Sequence, residues 1–154
     1  MSRGTPVAGE DTGTSLRTTG LRAAGLRVTA PRLAVLAALQ EHGHAGVDEL
    51  VRTSRDRLGT LSTQAVYEML RVFVAAGMAR RIEPAGRPAL FEARVGDNHH
   101  HAVCRACGVV VDVDCAIGQP PCLSPSQAHG FVLDEAEVTF WGLCASCATA
   151  SAVS

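Results

Sequence analysis

Apolar residues first fall at helical spacing after Thr29, where Leu33, Leu36, Ala37 and Leu39 form a stripe that predicts a helix over Pro31–Glu41. Thr29 is placed to cap it, and Pro31 occupies a first-turn position that a helix tolerates. Beyond the loop His42-Gly-His-Ala-Gly46, Val47, Leu50, Val51 and Leu58 predict a second short helix, closed by the turn signal Gly59-Thr60. Ser62 can cap a third, in which Val66, Met69, Leu70 and Phe73 stand at i, i+3, i+4 and i+7 and Gly77 marks the end. The opposite face of that third helix carries Thr63, Gln64, Tyr67, Glu68 and Arg71. Met78–Ile82, a Glu83–Pro88 turn and Ala89–Ala93 then read as strand, turn, strand. Three helices followed by a basic hairpin predict a winged helix-turn-helix. Gln64, Tyr67, Glu68 and Arg71 lie where side chains could reach base edges.

From His99 onward the pattern changes. Val109–Val111 with Val113 predict one strand, and Glu137–Trp141 alternates as a second. Cys115–Pro125 contains Gly118, Pro120, Pro121 and Pro125 and reads as a loop or a turn of helix. Residues 1–16 are rich in Gly, Thr and Ser with no apolar period, the composition of a flexible arm. Helices followed by strands define the fold class as α+β.

A chain of 154 residues that is 47% apolar can fill one ordinary core or two small ones, and domains that small usually need a staple. The net charge of −1 hides a division: residues 1–94 carry +4 and residues 95–154 carry −5. A basic half joined to an acidic half suggests two tasks. All 14 basic residues are arginine, which suggests genome composition rather than function. No apolar run reaches the roughly 20 residues of a membrane span, and the first residues lack the apolar centre of a secretory signal, so a cytosolic protein is expected. In that compartment six cysteines read as metal ligands rather than as a disulfide framework.

Cys104-Arg-Ala-Cys107 and Cys144-Ala-Ser-Cys147 are two Cys-x-x-Cys pairs separated by 36 residues. Four thiolates can hold one Zn²⁺ tetrahedrally and leave no open position, so this zinc is expected to be structural. A thioredoxin-like redox pair is the alternative, but redox chemistry needs one such pair, not two. Asp97-Asn-His99-His100-His101 precedes the first pair. In an extended segment His99 and His101 share a face while His100 points the other way, which permits a metal on each side. His42, Glu92, Asp112 and His129 are candidate companions, although each taken singly is an ordinary surface residue. Mixed imidazole and carboxylate donors suit exchangeable Fe²⁺ or Mn²⁺, with Zn²⁺ or Ni²⁺ as further occupants. Cys115 and Cys122 read either as small buried hydrophobes or as a regulatory thiol pair. Zinc hydrolases and deaminases are disfavoured: His-Glu-x-x-His is absent, and no His is followed two places on by Glu. A zinc-handling protein without DNA contacts remains the other class.

LRVTAPRLAVL, QAVYEML, GDNHHHAVCRACG and EVTFWGLCASC occur in the order and spacing of the ferric uptake regulator family. GDNHHH and DVDCAIGQPPC resemble its actinobacterial branch, which is linked to catalase-peroxidase genes. The resemblance implies a non-enzymatic, metal-dependent repressor that binds double-stranded operator DNA as a homodimer. It implies a winged-helix domain over residues 17–94, a hinge at 95–98, a zinc-stabilised α/β dimerisation domain over 99–148 and a tail at 149–154. It places Cys104, Cys107, Cys144 and Cys147 on the structural zinc, and His42, Glu92, His99 and His101 on the regulatory metal. Asp112 falls where peroxide-sensing relatives supply a further carboxylate. His100 and His129 sit near a second site, whose preceding histidine is Asn98 here. Arg27 falls on a residue that enters the minor groove and Tyr67 on the recognition-helix tyrosine, while Glu68 stands where the family often has arginine.

Overall fold

The computed structural model describes residues 8–97, 99–114, 125–133 and 136–152, with side chains from Thr12 to Ser151. The chain divides into two compact units, Met1–Glu83 with Pro88–Val95, and Pro84–Arg87 with Gly96–Ser154.

The first unit contains α1 (Ala8–Ala23), α2 (Ala30–His42), α3 (Val47–Leu58), α4 (Thr63–Ala75) and the antiparallel strands β1 (Arg80–Ile82) and β2 (Leu90–Glu92). The helix α1 corrects the expectation of a flexible arm, since residues 8–16 form its first half. Its Gly, Thr and Ser content gives it little intrinsic helicity, and docking supplies the rest. Leu21 is fully buried, Gly20 packs against Met78, and Arg17 donates to Gln40 Oε1 at 3.1 Å and to Thr14 Oγ1.

The three expected helices form where their caps place them. Thr29 Oγ1 accepts from the Arg32 amide at the start of α2, and Ser62 Oγ accepts from the Ala65 amide at the start of α4. In α3, Asp48 and Glu49 lie in the first turn and Arg55 and Arg57 in the last, complementing the helix dipole. Gly77, at φ 67°, ends α4 by donating to Val74 O while Met78 N donates to Phe73 O. Val35, Leu39, Leu50, Val66, Leu70 and Phe73 then meet in one core with Leu21 and Phe91. Phe91 of β2 also pairs with Ala45, between α2 and α3, through two backbone hydrogen bonds.

The second unit is a sheet of order β4-β3-β5, formed by β3 (His99–Cys104), β4 (Val110–Asp114) and β5 (Thr139–Gly142), followed by α5 (Ala145–Ala152). β3 pairs antiparallel with β4, His101 opposite Asp112. It pairs parallel with β5, Cys104 opposite Gly142. Residues 149–152, expected as a tail, are the end of α5, an alanine-rich turn in which Thr149 and Ser151 hydroxyls donate to the carbonyls four residues back. Apart from Pro125, the expected loop Cys115–Pro125 lies outside the described residues, and Cys115, Cys122 and Asn98 lie there too.

Candidate metal centres

Parallel pairing of β3 with β5 brings Cys104, the last residue of β3, beside Cys144, two residues past β5. Cys107 returns to the same place through a tight turn closed by Gly108 N donating to Cys104 O at 2.9 Å. Cys147 comes from the first turn of α5. The four sulfurs lie within 4.8 Å of one another, and Cys107 Sγ is 3.7 Å from Cys144 Sγ. Zn–S bonds of about 2.3 Å in a tetrahedron require sulfurs about 3.8 Å apart, so the donor set fits zinc. All four cysteines are free thiols.

The backbone also favours thiolate. The Cys144 amide donates to Cys104 Sγ at 3.3 Å. Amides of Cys107, Cys144 and Ala106 hold the Cys104 thiol down to about 5. Hydrogen bonds shared with Cys144, Cys107 and Cys104 push Cys147 up to about 12, so the cluster concentrates its negative charge at Cys104.

The second unit holds a different donor set. β3 is extended, so His99 and His101 share one face, their rings edge to face at 5.0 Å, and His100 points to the other, toward the Phe140 ring. Cross-strand pairing puts Asp112 on the face of His99 and His101, with its Oδ1 3.9 Å from each Nε2. Both histidines are buried. The first unit holds a buried carboxylate, Glu92, whose Oε2 lies 2.9 Å from His44 Nε2 while Arg80 approaches Oε1 at 4.0 Å.

His44, not His42, is therefore the imidazole that meets Glu92. The Ala45–Phe91 bridge is antiparallel, so its flanking residues His44 and Glu92 fall opposite each other. His42 ends α2 and faces α3, with Nε2 2.8 Å from Thr53 Oγ1 and Nδ1 3.4 Å from Glu49 Oε1. His129 is exposed in a turn at φ 47°, and among the described residues His42, His99, His100 and His129 all lie outside the groups of three or more candidate ligands whose donor atoms are within 4.8 Å of one another. Two carboxylates that the sequence reading passed over, Asp97 and Glu137, approach His99 and His101.

On α4, Tyr67, half exposed, shares the outer face with Gln64, Glu68 and Arg71. Glu68 joins its neighbours, accepting from Gln64 Nε2 and from Arg71 Nη1, both at 3.0 Å. Arg27 is exposed between α1 and α2, and its carbonyl accepts from Arg32 Nη1.

Residues 23–140 match the model of the ferric uptake regulator family. Transcriptional regulator FurA of Mycobacterium tuberculosis is 55% identical over 127 residues, 82% of this chain and 86% of that protein. Among solved structures, the Vibrio cholerae ferric uptake regulator, described for rearrangement of its DNA-binding domains, superposes with a TM-score of 0.62 at 28% identity, covering 82% of this chain and 98% of that one. The Pseudomonas aeruginosa regulator, solved with manganese, gives 0.63 at 26% identity over 84% of this chain and 98% of its own. The chain belongs to the ferric uptake regulator family, in its actinobacterial branch. Members of this family are DNA-binding transcriptional regulators. Among the described residues, no helix is long and apolar enough to cross a membrane.

Proposed function

We propose that this protein is a homodimeric repressor whose grip on operator DNA depends on an exchangeable divalent ion, with iron as the physiological metal and peroxide as the signal that ends repression. The observation that carries this reading is the pair of donor sets: His44 against the buried Glu92 in the first unit and His99, His101 and Asp112 on one face of the second. Imidazole and carboxylate donors suit Fe²⁺ and Mn²⁺ and hold them less tightly than four thiolates hold zinc, as a sensor requires. When bound, the ion supplies a common Lewis acid for donors of both units.

His44 and Glu92 from one side, and His99, His101 and Asp112 from the other, then fix the two units in one arrangement. In a dimer this sets the two α4 helices about 34 Å apart, one turn of DNA. Moving an open-to-closed balance from 1:99 to 99:1 requires about 5.5 kcal/mol of differential affinity, within the reach of a few ligands. Tyr67, Gln64 and Arg71 would face base edges, and Arg27 the minor groove. Cys104, Cys107, Cys144 and Cys147 keep the structural zinc apart from this exchange.

The test is a gel shift on the protein's own promoter with the zinc-loaded protein, supplied in turn with Fe²⁺, Mn²⁺, Ni²⁺ or Zn²⁺ and then treated with peroxide. Retardation with Fe²⁺ that peroxide abolishes is expected. A response confined to Ni²⁺ or Zn²⁺ would assign the chain to uptake of that metal, and equal binding without any added ion would remove the metal-dependent reading altogether.

A further inference from the structure

Beyond the donors themselves, the second unit contains two carboxylates that bear on the far nitrogens of the same histidines. His99 Nδ1 donates to Asp97 Oδ1 at 2.8 Å, and Glu137 Oε1 lies 3.8 Å from His101 Nδ1. The other nitrogens, His99 Nε2 and His101 Nε2, both stand 3.9 Å from Asp112 Oδ1. Each ring thus has one nitrogen toward a shared carboxylate and the other toward a carboxylate of its own. We propose that Asp97 and Glu137 are positioning residues that set the tautomer and orientation of His99 and His101 and so tune how strongly their Nε2 atoms hold the regulatory ion.

The physical argument begins with the ring. A neutral imidazole offers one N–H and one lone pair, and only the lone-pair nitrogen can bind a metal. A carboxylate accepting from Nδ1–H fixes the proton there and leaves Nε2 as the donor. It also raises the basicity of that donor, and removal of such an outer partner typically costs about 10–100-fold in metal affinity. His99 and His101 are almost wholly buried, so bulk water cannot readily replace the missing acceptor. The spacing is built into the chain. His99 and His101 alternate along β3, with Asp97 two residues before the strand, and β5 pairs with β3 so that Thr139 stands opposite His101, placing Glu137 just before the paired stretch. The two carboxylates differ in rank. Asp97 makes a hydrogen bond of full strength, while Glu137 at 3.8 Å stands beyond direct hydrogen-bond reach, so its contribution is electrostatic or passes through water.

This inference rests on the regulatory role proposed for His99 and His101, and the experiment separates the two. Mn²⁺ alone is titrated into zinc-loaded full-length wild type, Asp97→Ala, Asp97→Asn and Glu137→Ala, with free Mn²⁺ followed by its electron paramagnetic signal and no DNA present. Zinc content and melting temperature are measured on every sample. Imidazole ¹⁵N shifts report the tautomer of His99 before Mn²⁺ is added. Asp97→Ala is expected to weaken Mn²⁺ about 10–100-fold and to mix the His99 tautomers. Asp97→Asn keeps an acceptor without the charge and should fall in between, and Glu137→Ala should lose less than Asp97→Ala. Wild-type affinity within twofold in both alanine variants, with an unchanged His99 tautomer, would overturn the inference while leaving the regulatory site intact. Absence of Mn²⁺ binding by wild type itself would overturn the site and this inference together.

Discussion

His44 Nε2 lies 2.9 Å from the buried Glu92 Oε2, while His42, two residues earlier, is held against Thr53 and Glu49 of α3. The two histidines thus have separate neighbours, a buried carboxylate for one and a helix contact for the other. His44→Ala is expected to weaken Mn²⁺-dependent operator binding at least about tenfold. His42→Ala should leave that metal dependence nearly unchanged and lower thermal stability slightly. Parallel metal titrations of the gel shift check this, and the reverse order would return the ligand role to His42.

Removing zinc from the proposed four-thiolate site should unfold the second unit, because among the described residues its sheet has few buried apolar side chains besides Val103 and Val110. Zinc in such sites contributes folding free energy on the order of 10 kcal/mol. Cys147→Ser, or a strong chelator, is expected to abolish the near-ultraviolet signal of Trp141 while most helical circular dichroism from α1–α4 remains.

The thiols give that site a pH dependence with a definite sign. With its thiol at about 5, Cys104 is already a thiolate at neutral pH, and with its thiol at about 12, Cys147 still carries its proton. Zinc uptake at pH 7 should therefore displace the Cys147 proton but none from Cys104. Below about pH 5 Cys104 is protonated as well, so zinc affinity should fall more steeply with each further unit of acid. Competition with a chromophoric chelator across pH 4.5–8 would show the change of slope, and a constant slope would contradict it.

On α4, Glu68 occupies the outer face between Gln64 and Arg71 and engages both. Exposed pairs of this kind contribute little to stability, so Glu68→Ala should change it by no more than about 0.5 kcal/mol. Removing a negative charge that would face phosphates in the proposed complex, and releasing Arg71, should instead raise affinity for any DNA. The salt dependence should steepen by about one phosphate contact, roughly 0.9 in slope. Loss of discrimination between the operator and random DNA is the expected readout, by binding isotherms at several salt concentrations.

Gly108 closes the Cys104–Cys107 turn at φ 79°, and a Cβ there would meet the Arg87 guanidinium, which donates to Arg105 O at 3.0 Å. Gly108→Ala combines a strained backbone with displacement of Arg87, and should cost about 1–3 kcal/mol. A lowered melting temperature with zinc still bound would show this, whereas an unchanged one would mean the turn relaxes freely.

Much of the first unit was legible because local signals agreed. Thr29 and Ser62 cap the helices they were expected to cap, and the stripe of Val66, Leu70 and Phe73 is the buried face of α4. The helix α1 was not legible, since its stability lies in Leu21 and Arg17 reaching other helices rather than in its own composition. The four cysteines declared themselves by spacing, and the alternation of His99, His100 and His101 followed from extended backbone. Choosing between His42 and His44 required a long-range backbone pair, Ala45 with Phe91, which no local period encodes. Asp97 lies only two residues before His99 and so was close at hand in the sequence, whereas Glu137 reaches His101 only through the parallel register of β5.

That register has an evolutionary corollary. Cys104 and Cys144 stand at matching ends of two neighbouring strands although the chain travels nearly forty residues between them. Closing a loop costs only logarithmically more as it lengthens. A thiolate rivet at the strand ends would therefore let lineages lengthen, shorten or rewrite the connection between β4 and β5 while the histidine strand keeps its place.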